Sequence, residues 1–226
     1  MNLQPLATIF LLFGTTASYA APPAPLNNTP ESIVSLVKEN YEGFAHNRAE
    51  HWLEVITGLS EATEIDKVKA MQKHFNQYPY VDDAVHWGKT DYWASLPELI
   101  GVKGGDCEDV AIAKYHSLRL LGVPHDNMRL LVVAQKDKKS SHMVLVYRSP
   151  EEVFFLDNRD YLLGEYRSMP DYTPIYSFNE ESLWVETGEV LSEEPTPVSR
   201  LGKALDVKSR ILKKEMGQPI INVEFL

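Results

Sequence analysis

Cysteine is almost absent from this sequence, since Cys107 is the single one among 226 residues. One cysteine excludes an intramolecular disulfide, and it also excludes a zinc site built from several cysteines. A lone thiol in an oxidising compartment is a liability unless it is buried or has a chemical role. The surroundings of Cys107 therefore carry most of the functional information.

Excess positive charge is also missing. The chain has 22 Lys and Arg against 32 Asp and Glu, for a net charge of −10, and no basic block interrupts this balance. This distribution argues against a nucleic-acid partner. With 44% hydrophobic and 24% charged residues, the composition is that of a globular protein.

Long apolar runs are confined to the N-terminus. Residues 1–20 predict a signal peptide, because an apolar core at Leu6–Phe13 precedes small residues at Ser18 and Ala20. No Lys or Arg precedes the core, so an uncleaved N-terminal anchor is the alternative. Either interpretation places the body of the protein outside the cytoplasm. Residues 21–28, rich in Pro and Asn, predict a linker.

The periodicity of apolar residues changes along the chain. Thr29-Pro30-Glu31 predicts a helix start, and helical spacing continues over 49–59, 61–78 and 106–121, with Gly122 as a C-cap. Residues 79–103 predict a loop with short helical turns. Alternating apolar residues predict strands over 129–135, 142–148 and 152–157, with further candidates at 176–178 and 183–186 and a late surface helix over 203–216.

Helices that precede strands indicate an α+β fold rather than a parallel sheet with crossover helices. We predict one domain over residues 29–226, with a helical lobe over about 29–121 and a sheet lobe over about 128–190.

The thiol of Cys107 lies at a predicted helix start, directly after Gly104-Gly105-Asp106. Free N–H groups and a partial positive charge at a helix N-terminus favour a thiolate. A nucleophilic cysteine needs a base, and the base needs a group that fixes its tautomer. We predict His142 as the base and Asp157 as its orienting partner. Alone, Cys107 would more often be a small buried apolar residue.

Strand arithmetic supports this pair. If Ser149-Pro150 is a two-residue turn, facing positions sum to 299, so position 142 faces position 157. Opposed residues of an antiparallel pair share a face, with Cβ atoms roughly 5 Å apart.

Three carboxylates, Asp106, Glu108 and Asp109, surround Cys107 and oppose its ionisation. They have two interpretations. They form a helix cap and an acidic first turn, or they bind a hard cation, for which Ca²⁺ is the best match to carboxylate ligands. A bound Ca²⁺ would cancel the negative field at the thiol.

The residues Gly104–Asp109, followed by Ala111–Tyr115, His142–Leu145 and Leu156–Asn158, resemble the bacterial transglutaminase-like cysteine proteinases. Trp93 and Leu96-Pro97-Glu98-Leu99 also fit that family, and the resemblance covers about residues 40–190. It implies a papain- and transglutaminase-like core, in which a helical lobe packs on an antiparallel sheet with the cleft between them.

The resemblance also implies a function. Such enzymes are calcium-dependent periplasmic cysteine endopeptidases that cleave the N-terminal region of a large cell-surface adhesin, which releases it and disperses biofilm. An inner-membrane cyclic di-GMP receptor of the LapD type sequesters them. The implied roles are Cys107 as nucleophile, His142 as base and Asp157 as orienter. The implied calcium ligands are Asp106 and Glu108, with Asp109 as a third.

Two other functions stay open on these residues. A transglutaminase or amidase would use the same three groups with another acyl acceptor, and a catalytically silent module would keep the fold to bind a peptide.

Overall fold

The computed structural model describes residues 29–135, 141–160, 162–166, 172–186 and 191–196. The predicted signal peptide, the linker and the helix predicted over 203–216 lie outside the described residues. Within the described ranges, no helix is both long enough and apolar enough to span a membrane.

The described residues form six α-helices and six β-strands. The helices are α1 (Pro30–Asn40), α2 (Phe44–Gly58), α3 (Glu64–Phe75), α4 (Asp83–His86), α5 (Leu96–Val102) and α6 (Cys107–Leu120). The strands are β1 (Met128–Gln135), β2 (Ser141–Arg148), β3 (Val153–Leu156), β4 (Gly164–Glu165), β5 (Tyr172–Phe178) and β6 (Leu183–Val185).

Capping residues set the helix boundaries. The Thr29 side chain accepts a hydrogen bond from the Ser32 N–H, as the predicted start of α1 requires. The start predicted for α2 was five residues late, because Gly43 turns the chain at a φ of 61° and the helix begins at Phe44. The predicted third helix was too long at both ends, since Thr63 caps α3 and Phe75 ends it.

Helix α6 begins and ends nearly where the sequence predicts. Asp106 is its N-cap. At its other end Gly122 has a φ of 83° and donates its N–H to the Arg119 carbonyl at 3.0 Å, while the Val123 N–H bonds the Leu118 carbonyl at 3.0 Å. These two bonds form a Schellman motif, in which a glycine satisfies the last carbonyls of a helix.

The six described strands form one antiparallel sheet in the order β4-β3-β2-β1-β5-β6. The predicted α+β class is therefore confirmed. The prediction lacked β4 and the first part of β5, since these segments carry little alternation.

The helices cover one face of this sheet. Leu130 and Val132 of β1, with Met143 and Leu145 of β2, belong to the main core that the helices share. The alternate residues of both strands pack into a smaller cluster, and alternation along a strand places that cluster on the opposite face. Helix α6 packs against β2, which brings the start of that helix to the start of that strand.

Candidate active site

The glycine pair ties the start of α6 to an upstream segment. The Val81 N–H donates to the Gly105 carbonyl at 3.1 Å, and the Gly105 N–H donates to the Pro79 carbonyl at 3.4 Å. Cys107 is the first residue of α6 and is partly buried. Met143 directly follows His142 in the chain, and its main-chain N–H donates a hydrogen bond to the Cys107 sulfur. The thiol therefore lies beside the beginning of β2.

Close packing leaves no room for a side chain at Gly105. A Cβ there would lie 2.5 Å from Asp109 Oδ2 and 2.9 Å from Leu99 Cδ1. We expect Gly105→Ala to destabilise the protein by about 1–3 kcal/mol, the usual cost of overpacking, and to displace Asp109, one of the predicted calcium ligands. Thermal unfolding with and without calcium measures both effects. Gly58→Ala is the control, because its Cβ would meet nothing within 4 Å. Equal melting temperatures for the two variants would contradict the expectation.

His142 and Asp157 form a buried pair. His142 Nε2 lies 3.0 Å from Asp157 Oδ1, and the residues are 1% and 3% exposed. The contact predicted between these two side chains is confirmed.

The register predicted for this hairpin was wrong. Arg148 pairs with Val153 and Leu145 with Leu156, so facing positions sum to 301. A four-residue loop replaces the two-residue turn, and the Ser149 N–H donates to the Glu152 carbonyl at 2.8 Å. The two side chains still meet because an offset of two residues preserves the face of each strand, and diagonal neighbours stay within reach of long side chains.

The protonation pattern of the pair follows from its neighbours. Burial opposes ionisation of Asp157, but hydrogen bonds from His142, the Arg159 N–H and the Tyr172 hydroxyl hold its pKa below the usual value. An ionised carboxylate only accepts hydrogen bonds, so His142 Nε2 carries the proton. His142 Nδ1 is buried and has no hydrogen-bond partner among the described residues. Nδ1 is therefore the ring nitrogen left to exchange a proton with a neighbouring group.

Tyr172 is a site residue that the sequence analysis missed. Its hydroxyl donates to Asp157 Oδ2 at 2.9 Å, and its ring centroid lies 5.4 Å from that of His142. Arg159 supports the same carboxylate, with its N–H 3.0 Å from Asp157 Oδ1. No spacing in the sequence indicates Tyr172, because β5 reaches the site from across the sheet.

Removal of the Tyr172 hydroxyl should slow catalysis without unfolding the protein. A hydrogen bond to a charged group contributes about 1.5–3 kcal/mol. If about half of this stabilisation acts in the transition state, kcat of Tyr172→Phe should be roughly three- to tenfold lower. Peptide-cleavage kinetics measure this. Tyr166→Phe is the matched control, because the Tyr166 hydroxyl has no hydrogen-bond partner among the described residues. A kcat equal to that of the control would contradict the role of Tyr172.

Negative charge surrounds the thiol. Cys107 Sγ donates to Glu108 Oε2 at 2.9 Å. Burial raises the pKa of Cys107, and the charges of Glu108 and Asp106 raise it further, while the Met143 N–H opposes them. Without a compensating cation, the site holds the sulfur as a neutral thiol.

Five carboxylates gather at this end of α6. Ligand atoms of Asp83, Asp106 and Asp109 lie within 4.8 Å of one another, as do those of Asp83, Asp91 and Glu108. The three acids predicted from the sequence are thus brought together, and Asp83 and Asp91 join them from the segment before α5. No sequence pattern indicates these two, because the path of a loop decides whether distant acids meet.

The capping interpretation of the acids is confirmed, and it does not exclude the binding of a cation. Asp106 is the N-cap of α6, and its N–H lies 3.4 Å from Asp109 Oδ2. Asp109 also accepts a hydrogen bond from the Ala94 N–H through Oδ1. A carboxylate oxygen has two lone pairs, so an acid that caps the helix can also bind a cation.

The donor set fits a hard cation. Asp106 Oδ1 is buried without a hydrogen-bond partner among the described residues. Burial raises the pKa of Asp106, and the charges of Glu108 and Asp109 raise it further. Carboxylate oxygens in this number suit Ca²⁺, which takes six to eight oxygen ligands. The residues present therefore fit a calcium ion.

Comparisons with known proteins agree with this geometry. A sequence profile of the bacterial transglutaminase-like cysteine proteinases matches residues 34–190. The structure of Legionella pneumophila LapG treated with EGTA superposes with a TM-score of 0.67 at 33% identity, over 81% of this chain and 98% of that one. The calcium-bound Legionella LapG gives 0.65 at 34%, over 81% and 99%. No curated protein matches the sequence significantly.

The match to the profile spans more than half of the chain, and it includes the thiol, the histidine and the aspartate described above. The fold, the buried His142–Asp157 pair beside a helix-start cysteine and the likeness to LapG lead to one conclusion. This chain belongs to the bacterial transglutaminase-like cysteine proteinase family.

Proposed function

We propose that this protein is a calcium-dependent cysteine endopeptidase of the periplasm, which cleaves the N-terminal region of a large cell-surface adhesin and thereby promotes biofilm dispersal. The hydrogen bond of 3.0 Å between His142 and Asp157, beside the only cysteine of the chain, carries the proposal. The resemblance to LapG over 81% of the chain supports the choice of substrate.

Proton transfer in the proposed mechanism begins at His142. Nδ1 takes the proton of the Cys107 thiol, and the thiolate attacks the carbonyl carbon of the scissile peptide. The imidazolium then protonates the leaving amine, which departs and leaves a thioester. A water molecule gives a proton to Nδ1 and attacks the thioester, which releases the acid and restores the thiol. Asp157 holds the ring and stabilises the imidazolium at both steps.

The start of α6 supplies the electrostatic part of this mechanism. The first N–H groups of a helix have no partner within the helix, so the Cys107 N–H is suited to bind the oxyanion of the tetrahedral intermediate. The proposed calcium ligands are Asp106, Glu108 and Asp109, joined by Asp83 and Asp91. A bound Ca²⁺ would supply positive charge that compensates these acids and lowers the cost of a thiolate at Cys107.

Cleavage of an adhesin fragment tests the proposed function. The mature protein is incubated with the N-terminal region of a large adhesin from the same genome, and the products are identified by mass spectrometry. Two new fragments that share one cut site would support the endopeptidase. Incorporation of a labelled amine into a Gln-containing protein, without cleavage, would replace it with a transglutaminase. If neither cleavage nor amine incorporation occurs, a peptide-binding module becomes the favoured function.

Location and regulation are separate parts of the proposal. The apolar N-terminal segment and the family resemblance support the periplasm and a cyclic di-GMP receptor of the LapD type as the sequestering partner. Cell fractionation tests the first part. For the second, the purified receptor should retain this protein only when cyclic di-GMP is present, and retention independent of the nucleotide would argue against this regulation.

A further inference from the structure

Lys114 is a buried cation that the mechanism above does not use. It lies on α6, two turns after Cys107, and its exposed fraction is 0%. Its described hydrogen-bond partners are uncharged: Nζ donates to Gln72 Oε1 at 2.7 Å and to the Asp157 carbonyl at 3.4 Å. Burial lowers its pKa to about 7, while the charge of Asp157 opposes that shift. Burial of an ammonium costs free energy unless hydrogen bonds and opposite charge compensate for the lost water.

The bonds of Lys114 fix the orientation of the Gln72 amide. Nζ donates to the amide oxygen, Oε1, at 2.7 Å, and a protonated amine can face only that oxygen. The amide nitrogen, Nε2, then faces three main-chain carbonyls, which only accept. It lies 2.9 Å from Asp157 O, 2.5 Å from Asp160 O and 3.1 Å from Leu162 O.

Asn76, the C-cap of α3, completes a clamp of three side chains together with Gln72 and Lys114. Its Nδ2 donates to the Asp157 carbonyl at 2.7 Å, and it also bonds the Asp160 carbonyl. Two amides and one ammonium therefore converge on the Asp157 carbonyl, and all three side chains come from helices rather than from the sheet.

Asp157 needs such a clamp because the sheet does not hold it. The β2–β3 ladder ends at the pair of Leu145 and Leu156, so Asp157 is the first residue beyond it. Its side chain must nevertheless stay 3.0 Å from His142 Nε2. A residue just past a strand end has backbone freedom that only other contacts remove.

We propose that Lys114 is a positioning residue of the active site, which orients Gln72 so that the two residues hold the Asp157 carbonyl and keep the Asp157 carboxylate against His142. The proposal rests on the cysteine chemistry described under the proposed function, but not on the identity of the substrate.

The test compares Lys114→Met, Asp157→Asn and the double variant. The first readout is the second-order rate of Cys107 alkylation by iodoacetamide at pH 7 in saturating calcium, with Cys107→Ala as the blank. Because misplacement of a catalytic group by about 1 Å can cost up to a hundredfold in rate, we expect Lys114→Met to react roughly ten- to a hundredfold more slowly. The double variant should be no slower than Asp157→Asn, since both changes act through one carboxylate.

Gln72→Glu is the second variant, in case Lys114→Met does not fold. It keeps an acceptor for the ammonium but loses the donors to the carbonyls, and it should slow alkylation to a similar degree. Ser117→Ala is the matched control on the same helix, because Ser117 is buried and its hydroxyl accepts from Trp52 Nε1 at 3.1 Å. It should lower the melting temperature without changing the alkylation rate.

Two results would overturn the proposal: a folded Lys114→Met that is alkylated at the wild-type rate, or a double variant in which the two losses multiply. Alkylation needs no peptide, so slow alkylation of Lys114→Met stands even if the wild type cleaves no adhesin fragment. If the fragment is cleaved, kcat should fall in Lys114→Met while KM stays within about twofold, as expected for a change felt in the transition state.

Discussion

Cys107→Ala should abolish peptide cleavage while leaving the fold and the proposed calcium site intact. Removal of the nucleophile of a catalytic triad lowers kcat by at least about 10⁴-fold, because no other group can form the covalent intermediate. The thiol is partly buried and donates a hydrogen bond to Glu108 at 2.9 Å, so its loss leaves an acid that is still available to bind calcium. Cleavage kinetics and thermal unfolding, both in calcium, measure the two parts of this expectation.

The double variant Cys107→Ala/His142→Ala tests whether the two residues act together in catalysis. Residues that act as one catalytic unit are not additive, so the double variant should be no slower than either single variant. Residual cleavage within tenfold of the wild type would exclude a thiol mechanism. It would also leave the buried His142–Asp157 pair as a structural feature of the sheet.

Calcium removal should produce the second large effect, on stability as well as activity. A ligand present at about 100 times its Kd stabilises the native state by about 2.7 kcal/mol. For a protein of this size, each kcal/mol shifts the melting temperature by about 2–4 °C. We therefore expect saturating calcium to raise the melting temperature by roughly 5–10 °C over EGTA, and EGTA to suppress cleavage. Differential scanning calorimetry and the cleavage assay measure these changes.

The pH dependence of the metal-free protein gives a sharper form of this prediction. Burial raises the pKa of Asp109 to about 8. The charge of Glu108 also raises this pKa, while the hydrogen bond from the Ala94 N–H lowers it. The pKa of Asp106 is raised as well. Below pH 8 the folded state then holds protons that the unfolded state, with carboxyl pKa values near 4, has released. The free energy of unfolding in EGTA should therefore fall as the pH rises from about 4 to 8. Calcium binds the ionised acids, so its stabilisation should be larger at pH 8 than at pH 5.

Asp106→Asn should remove both the stabilisation by calcium and part of this pH dependence. Asp126→Asn is the matched control, because the Asp126 side chain is 84% exposed and lies outside the acidic cluster. If calcium stabilised Asp106→Asn as much as the control, Asp106 would be a helix cap and not a calcium ligand.

Local pattern was enough to predict the placement of three residues. A glycine pair followed by a cysteine and a helical period placed Cys107 at a helix start, and the structure has it as the first residue of α6. His142 and Asp157 were predicted to meet although the assumed turn was wrong. An offset of two residues leaves each side chain on the same face of its strand. The shared face of His142 and Asp157 could therefore be predicted although the register could not.

The site residues that were missed belong to other parts of the chain. Asp83 and Asp91 reach the acidic cluster through a segment whose periodicity predicts only short turns. Gln72 and Lys114 looked like ordinary helical positions, since a helix pattern indicates which residues are buried but not what a buried polar group contacts. Tyr172 lies on a part of β5 that was not predicted as a strand.

Four properties could be predicted from the amino-acid sequence: the α+β class, the helix-start position of Cys107, the shared face of His142 and Asp157, and the acids adjacent to the thiol. These properties depend on residues near one another in the chain, where helical and strand periods operate. The tertiary structure alone decided which distant side chains complete the site: the two upstream acids, the Tyr172 hydroxyl and the clamp on the Asp157 carbonyl. The path of the loops and the packing of α3 and α6 against the sheet fix those contacts, and no local period encodes either.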